Sequence, residues 1–174
     1  MFIGREEQLE QLKALWRKPV ASLVTCRGRR RVGKSTLIEE FARRNRVRFI
    51  KLEGVEPQQG VNNETQLKAF GLQLAEQTGC EESQPENWFK AFARLSKVLN
   101  PREKTVLLID EISWMGKYDA AFPGELKYAW DNRFPRESFR ASAISSAKIR
   151  SSTAERSTAC APISRRTDCR QCRL

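Results

Sequence analysis

Apolar positions along residues 1–135 alternate between a helical and an extended period. Leu9, Leu12, Leu15 and Trp16 recur at helical spacing and predict an amphipathic helix over 5–17, closed by Pro19. Val20 to Cys26 is a short apolar run rich in β-branched residues, which predicts a buried strand. Helical spacing resumes from Gly33 to about Arg44, with Leu37, Ile38 and Phe41 inward. Val47 to Leu52 predicts a second strand, with Val47, Phe49 and one of Ile50 or Leu52 inward, and Arg48 and Lys51 outward. Asn62 or Asn63 caps a helix that Gly79 ends near Thr78. Another helix opens at Pro85, carries Trp88, Phe89, Phe92, Leu95 and Leu99 on one broad face, and stops at Asn100-Pro101. Thr105 to Ile109 is continuously apolar, as expected of a strand buried on both faces of a parallel sheet. A last helix is predicted over 121–134. Strands alternating with helices imply a parallel sheet with helices on both faces.

Two motifs fall at the ends of these strands. The turn after the first strand reads Gly28-Arg29-Arg30-Arg31-Val32-Gly33-Lys34-Ser35, a complete G-x-x-x-x-G-K-S phosphate loop between strand and helix. Gly28 and Gly33 permit close backbone approach, so that loop amides and the helix N-terminus aim donors at phosphates. Lys34 is placed to neutralise β- and γ-phosphate oxygens, Ser35 to ligate magnesium, and Thr36 falls on the α-phosphate side. Arg29, Arg30 and Arg31 either lean over the phosphates or are solvated. The second motif is Val106-Leu107-Leu108-Ile109-Asp110-Glu111, 76 residues from Lys34 to Asp110. It puts two carboxylates at the sheet edge where ligands of open α/β sheets bind. Asp110 is the candidate magnesium holder opposite Ser35, and Glu111 the general base that polarises an attacking water.

Composition narrows the chemistry. The 174 residues contain no histidine, which excludes imidazole bases and histidine-containing metal sites. No stretch of about 18 apolar residues is present and the N-terminus lacks the run of a signal peptide, so the expectation is a cytoplasmic protein that does not enter a membrane. Net charge is +11, of which +6 falls in residues 136–174 and +5 in residues 1–135. A basic excess can serve nucleic acid, so an arm that binds it is one reading of the tail.

Residues 2–135 resemble the archaeal-type AAA-family ATPases, related to the signal-transduction ATPases with numerous domains. The resemblance is carried by Phe2-Ile3-Gly4-Arg5-Glu6-Glu7, by Gly28 to Thr36, by Leu108-Ile109-Asp110-Glu111-Ile112-Ser113-Trp114-Met115, and by the segment from Phe122-Pro123-Gly124 to Trp130-Asp131. It implies a P-loop NTPase three-layer sandwich that binds ATP and Mg2+, with Gly4 and Arg5 near adenine. The choice of ATP over GTP rests on it, together with the absence of an Asn-Lys-x-Asp guanine motif. The family continues after this point with a strand bearing a polar sensor residue, a helical lid, and a C-terminal domain that engages protein or DNA.

The chain changes texture at about Arg136. Residues 136–174 hold eight Ser, eight Arg and six Ala, no Val, and a single Leu at the terminus. No apolar strand is visible there. The reading is therefore a P-loop domain over 1–135, its sheet incomplete at the C-terminal end, followed by a basic low-complexity tail over 136–174, disordered or derived from a frameshift. Loss of the sensor strand and lid would leave a nucleotide-binding switch or partner-binding module that does not hydrolyse ATP. Cys160, Cys169 and Cys172, with Asp168, form a weaker zinc pattern.

Overall fold

The computed structural model describes residues 4–28, 31–100 and 102–134, and the backbone of 141–146 and 170–173. Chain order is α1 (Glu6–Trp16), β1 (Leu23–Arg27), α2 (Lys34–Asn45), β2 (Arg48–Glu53), α3 (Asn63–Thr78), α4 (Trp88–Val98), β3 (Thr105–Asp110), α5 (Ile112–Met115), a 3-10 turn (Gly116–Tyr118), α6 (Phe122–Asn132), β4 (Ala141–Ser146) and β5 (Arg170–Arg173). The strands form one sheet in the order β2-β3-β4-β1-β5, and every neighbouring pair is parallel.

The period-2 alternation of β3 sorts its apolar run onto two faces. Leu107 and Ile109 join Ile50 and Leu52 against α3, α4 and α6. Val106 and Leu108 join Val24 and Cys26 against α1 and α2. The result is the three-layer sandwich. β2 obeys the same rule: Ile50 and Leu52 are both fully buried on one side, while Phe49, with Val47 just before the strand, packs on the other. The expectation of a single inward set in β2 therefore gives way to two, because helices cover both faces.

Local signals explain the element boundaries. Asn62 and Thr65 form a reciprocal capping box at the start of α3, and Gly79 ends it in a left-handed conformation. Asn87 caps α4 by accepting from the Lys90 amide at 2.9 Å, so the helix begins at Trp88, three residues after Pro85. Phe70, Trp88, Phe92 and Phe122 meet at centroid separations of 4.8–6.0 Å, mostly edge to face, and the Trp88 indole donates to Asn63 Oδ1 at 2.9 Å.

The β2 edge is closed by side chains. Gln77, Gln73 and Gln66 of α3 each bond both the N–H and the C=O of one residue, Lys51, Glu53 and Val55 respectively. Three primary amides thus stand in for a further strand and satisfy backbone groups that an edge leaves open.

The absence of a strand after Pro135 is corrected. Ala141–Ser146 runs as β4 between β3 and β1, in a segment expected to add no strand, and Arg170–Arg173 runs on the other side of β1. Five of the six residues of β4 are Ala or Ser, so a search for large apolar side chains passes over it. The side chains of 135–174 lie outside the described residues, and with them the disorder, frameshift, zinc and nucleic-acid readings of the tail.

Candidate functional site

Three strand ends converge on one cleft at the C-terminal edge of the sheet. It has a volume of about 340 Å³ and is lined by Arg31, Gly33, Lys34, Ser35 and Thr36, by Lys51 and Glu53 at the end of β2, and by Asp110 and Glu111 after β3. Gly33 precedes α2 at φ 78°, a conformation that suits glycine, so that the chain turns from loop to helix beside the cleft. Lys34 is buried, and its Nζ donates to the Gly28 carbonyl at 3.3 Å. Ser35 Oγ donates to Asp110 Oδ2, which joins the two motifs across 75 residues of sequence. Asp110 Oδ1 accepts from the Glu111 amide at 3.1 Å.

Glu111 adopts φ 49° and ψ 41°, the left-handed region, at the sharp turn from β3 into α5. Such a conformation costs a non-glycine residue about 1–2 kcal/mol. The turn is tied down by Trp114 N donating to the Glu111 carbonyl at 2.8 Å and by Gly54 N donating to the Asp110 carbonyl at 3.0 Å. Asp110 and Glu111 are both buried, 7% and 8% exposed, so their carboxylates are shielded from bulk water.

Lys51 and Glu53 were not among the expected site residues. Register places Glu53 directly across from Asp110. Lys51 Nζ lies 3.4 Å from Glu53 and 3.6 Å from Glu39 of α2. Burial opposes the charge on Lys51, but Glu53, Glu39 and Asp110 outweigh it and raise its pKa above the ordinary lysine value. The available signal was positional: both residues end a parallel strand next to β3, at the edge where ligands of such sheets bind.

Of the expected residues, Arg31, Gly33, Lys34, Ser35, Thr36, Asp110 and Glu111 line the cleft, and Gly28 touches Lys34. Arg29 and Arg30 lie outside the described residues. Gly4, at φ 84°, precedes Arg5, whose guanidinium donates to the carbonyls of Val32 and Gly33. Arg5 is thus placed on the phosphate loop itself.

Residues 1–124 match the AAA ATPase domain family. The chain belongs to this family. An uncharacterised ATP-binding protein of Methanocaldococcus jannaschii is 42% identical over 48 residues, covering 28% of this chain and 81% of that protein. The Walker-type ATPase structure from Pyrococcus abyssi superposes with a TM-score of 0.55 at 19% identity, over 83% of this chain and 45% of that one. The chain therefore spans less than half of that ATPase, and the likeness establishes a shared P-loop ATPase fold. No helix among the described residues is long and apolar enough to cross a membrane.

Proposed function

We propose that this AAA domain binds ATP with magnesium in the cleft between the phosphate loop and β3, and hydrolyses it to ADP and phosphate. The observation that carries the reading is the Ser35–Asp110 hydrogen bond, made in the same cleft that holds Lys34 and Glu111. A hydroxyl and a carboxylate brought together are hard oxygen donors, the set magnesium takes beside substrate phosphates. The left-handed Gly33 and the open cleft beside it leave backbone amides available to phosphate oxygens.

In this reading, the loop amides and Lys34 hold the β- and γ-phosphates, while Ser35 and Asp110 hold the metal. Magnesium supplies neutralising charge and orients the phosphates when bound. Glu111 accepts the proton of the water whose oxygen bonds to the γ-phosphorus, as the bond from that phosphorus to the ADP oxygen breaks. Hydrogen bonds to the Glu111 N–H and C=O hold the backbone from which its side chain starts at the sheet edge.

Phosphate release tests the catalytic half. The native chain should turn over magnesium-ATP, and Glu111→Gln should lose at least about 100-fold in rate, the scale of one general base, with ATP affinity retained. Equal turnover by the two proteins would remove Glu111 from the chemistry.

A further inference from the structure

We propose that Arg5 is a positioning residue that braces the phosphate loop from behind, rather than a contact to the nucleotide base. The inference rests on the nucleotide-binding reading above and assigns a second element to that site.

Arg5 caps α1 with φ 61° and ψ 28°, a left-handed conformation that a non-glycine residue adopts only where its surroundings hold it. From there its guanidinium reaches across 27 and 28 residues of sequence. Nη2 donates to the Val32 carbonyl, and Nη1 donates to the Gly33 carbonyl at 3.2 Å. The planar fork of arginine suits two carbonyls that follow one another in sequence, a match that a lysine ammonium lacks.

The consequence follows from peptide geometry. In a trans peptide, the C=O of one residue and the N–H of the next point in opposite directions. Fixing the Val32 and Gly33 carbonyls therefore also fixes the amides of Gly33 and Lys34, on the opposite side of the same two peptide planes. Those amides belong to residues lining the cleft. The Gly33 carbonyl also accepts from Leu37 N at 3.0 Å, the first bond of α2, so the brace is continuous with the helix. The guanidinium also lies beside Gly33, where an added Cβ would meet its atoms at an ordinary contact distance of 3.9 Å. The N-terminal Gly-Arg segment thus presets donors for phosphate and adds a positive charge behind them.

The two roles separate by ligand. Binding of ATP and of inorganic tripolyphosphate, which has no base, should be compared for the native chain, Arg5→Ala, Arg5→Lys and Lys34→Ala, with a thermal melt of each. A brace predicts that Arg5→Ala weakens both ligands by the same factor, about tenfold or more, as expected for loss of charged hydrogen bonds. Arg5→Lys should show the same parallel loss to a smaller degree, and it keeps the result readable should Arg5→Ala fail to fold. Weakened ATP with unchanged tripolyphosphate would overturn the proposal in favour of a base contact, and unchanged affinity for both would overturn it outright. Failure of the underlying reading looks different: Lys34→Ala would then bind both ligands as the native chain does.

Discussion

Gly54→Ala probes how closely the end of β2 approaches the carboxylate turn. The added Cβ would stand 2.7 Å from the Glu111 carbonyl oxygen and 3.1 Å from both Met115 N and Trp114 Cβ. Ordinary contact begins near 3.4 Å, so the turn must yield by about 0.7 Å, and two of these three neighbours are backbone atoms. Gly54 is not among the residues of positive φ, so alanine meets no conformational penalty and the effect is steric. Overpacking of this kind costs about 1–3 kcal/mol. The reduced freedom of alanine in the unfolded chain returns about 0.4–1 kcal/mol. With both effects near the middle of their ranges the net loss is about 1–2 kcal/mol, which lowers the melting temperature by about 2–8 °C for a chain of this size. Urea and thermal melts measure the loss, and phosphate release measures its effect on the site. Turnover should fall more than ATP affinity, because Glu111 moves while the phosphate loop is untouched. Native stability in the variant, or lost binding with intact turnover, would refute the close-approach argument.

Other perturbations test the packing and the charges. Gln66→Leu leaves the Val55 N–H and C=O without their amide partner and should cost about 1–3 kcal/mol in urea, with faster hydrogen exchange at Val55; an unchanged exchange rate would mean that water replaces Gln66 without loss. Trp88→Ala empties the centre of the aromatic cluster and should cost about 3–5 kcal/mol by denaturant melt. Hydrogen bonds from Arg43 and Arg44 hold Glu40 down to about 2, from an ordinary value of 4.5. A depressed carboxylate stabilises the fold above the unfolded value and loses that contribution as pH falls from about 4.5 towards 2. Glu40→Gln should therefore flatten stability against pH in that window, and an unaltered slope would remove the Glu40 cluster from acid denaturation.

What the sequence disclosed depended on the kind of signal each element carries. β3 was legible because four large apolar residues end in two carboxylates. α3 was legible because Asn62 and Gly79 are strong helix punctuation. The phosphate loop was legible because glycine and lysine spacing there is dictated by phosphate geometry. β4 was not, because small and polar residues carry no apolar period, and its place is set by backbone pairing with β1 and β3. Lys51 reads as an outward residue of the second strand and Glu53 falls just past its predicted end, and only the pairing of Glu53 with Asp110 brings them to the site. The glutamines of α3 likewise gave no pattern of their own, since their partners are backbone groups of another element.

Isothermal titration of magnesium-ATP into the native chain and Lys34→Ala tests the central claim most directly. Lys34 is the cation buried beside the loop, the Ser35–Asp110 pair and Glu111. The account predicts saturable binding by the native chain and a loss of at least about 100-fold in Lys34→Ala, the scale of a charged contact removed from a partly buried site. Equal affinity in the two proteins would contradict it.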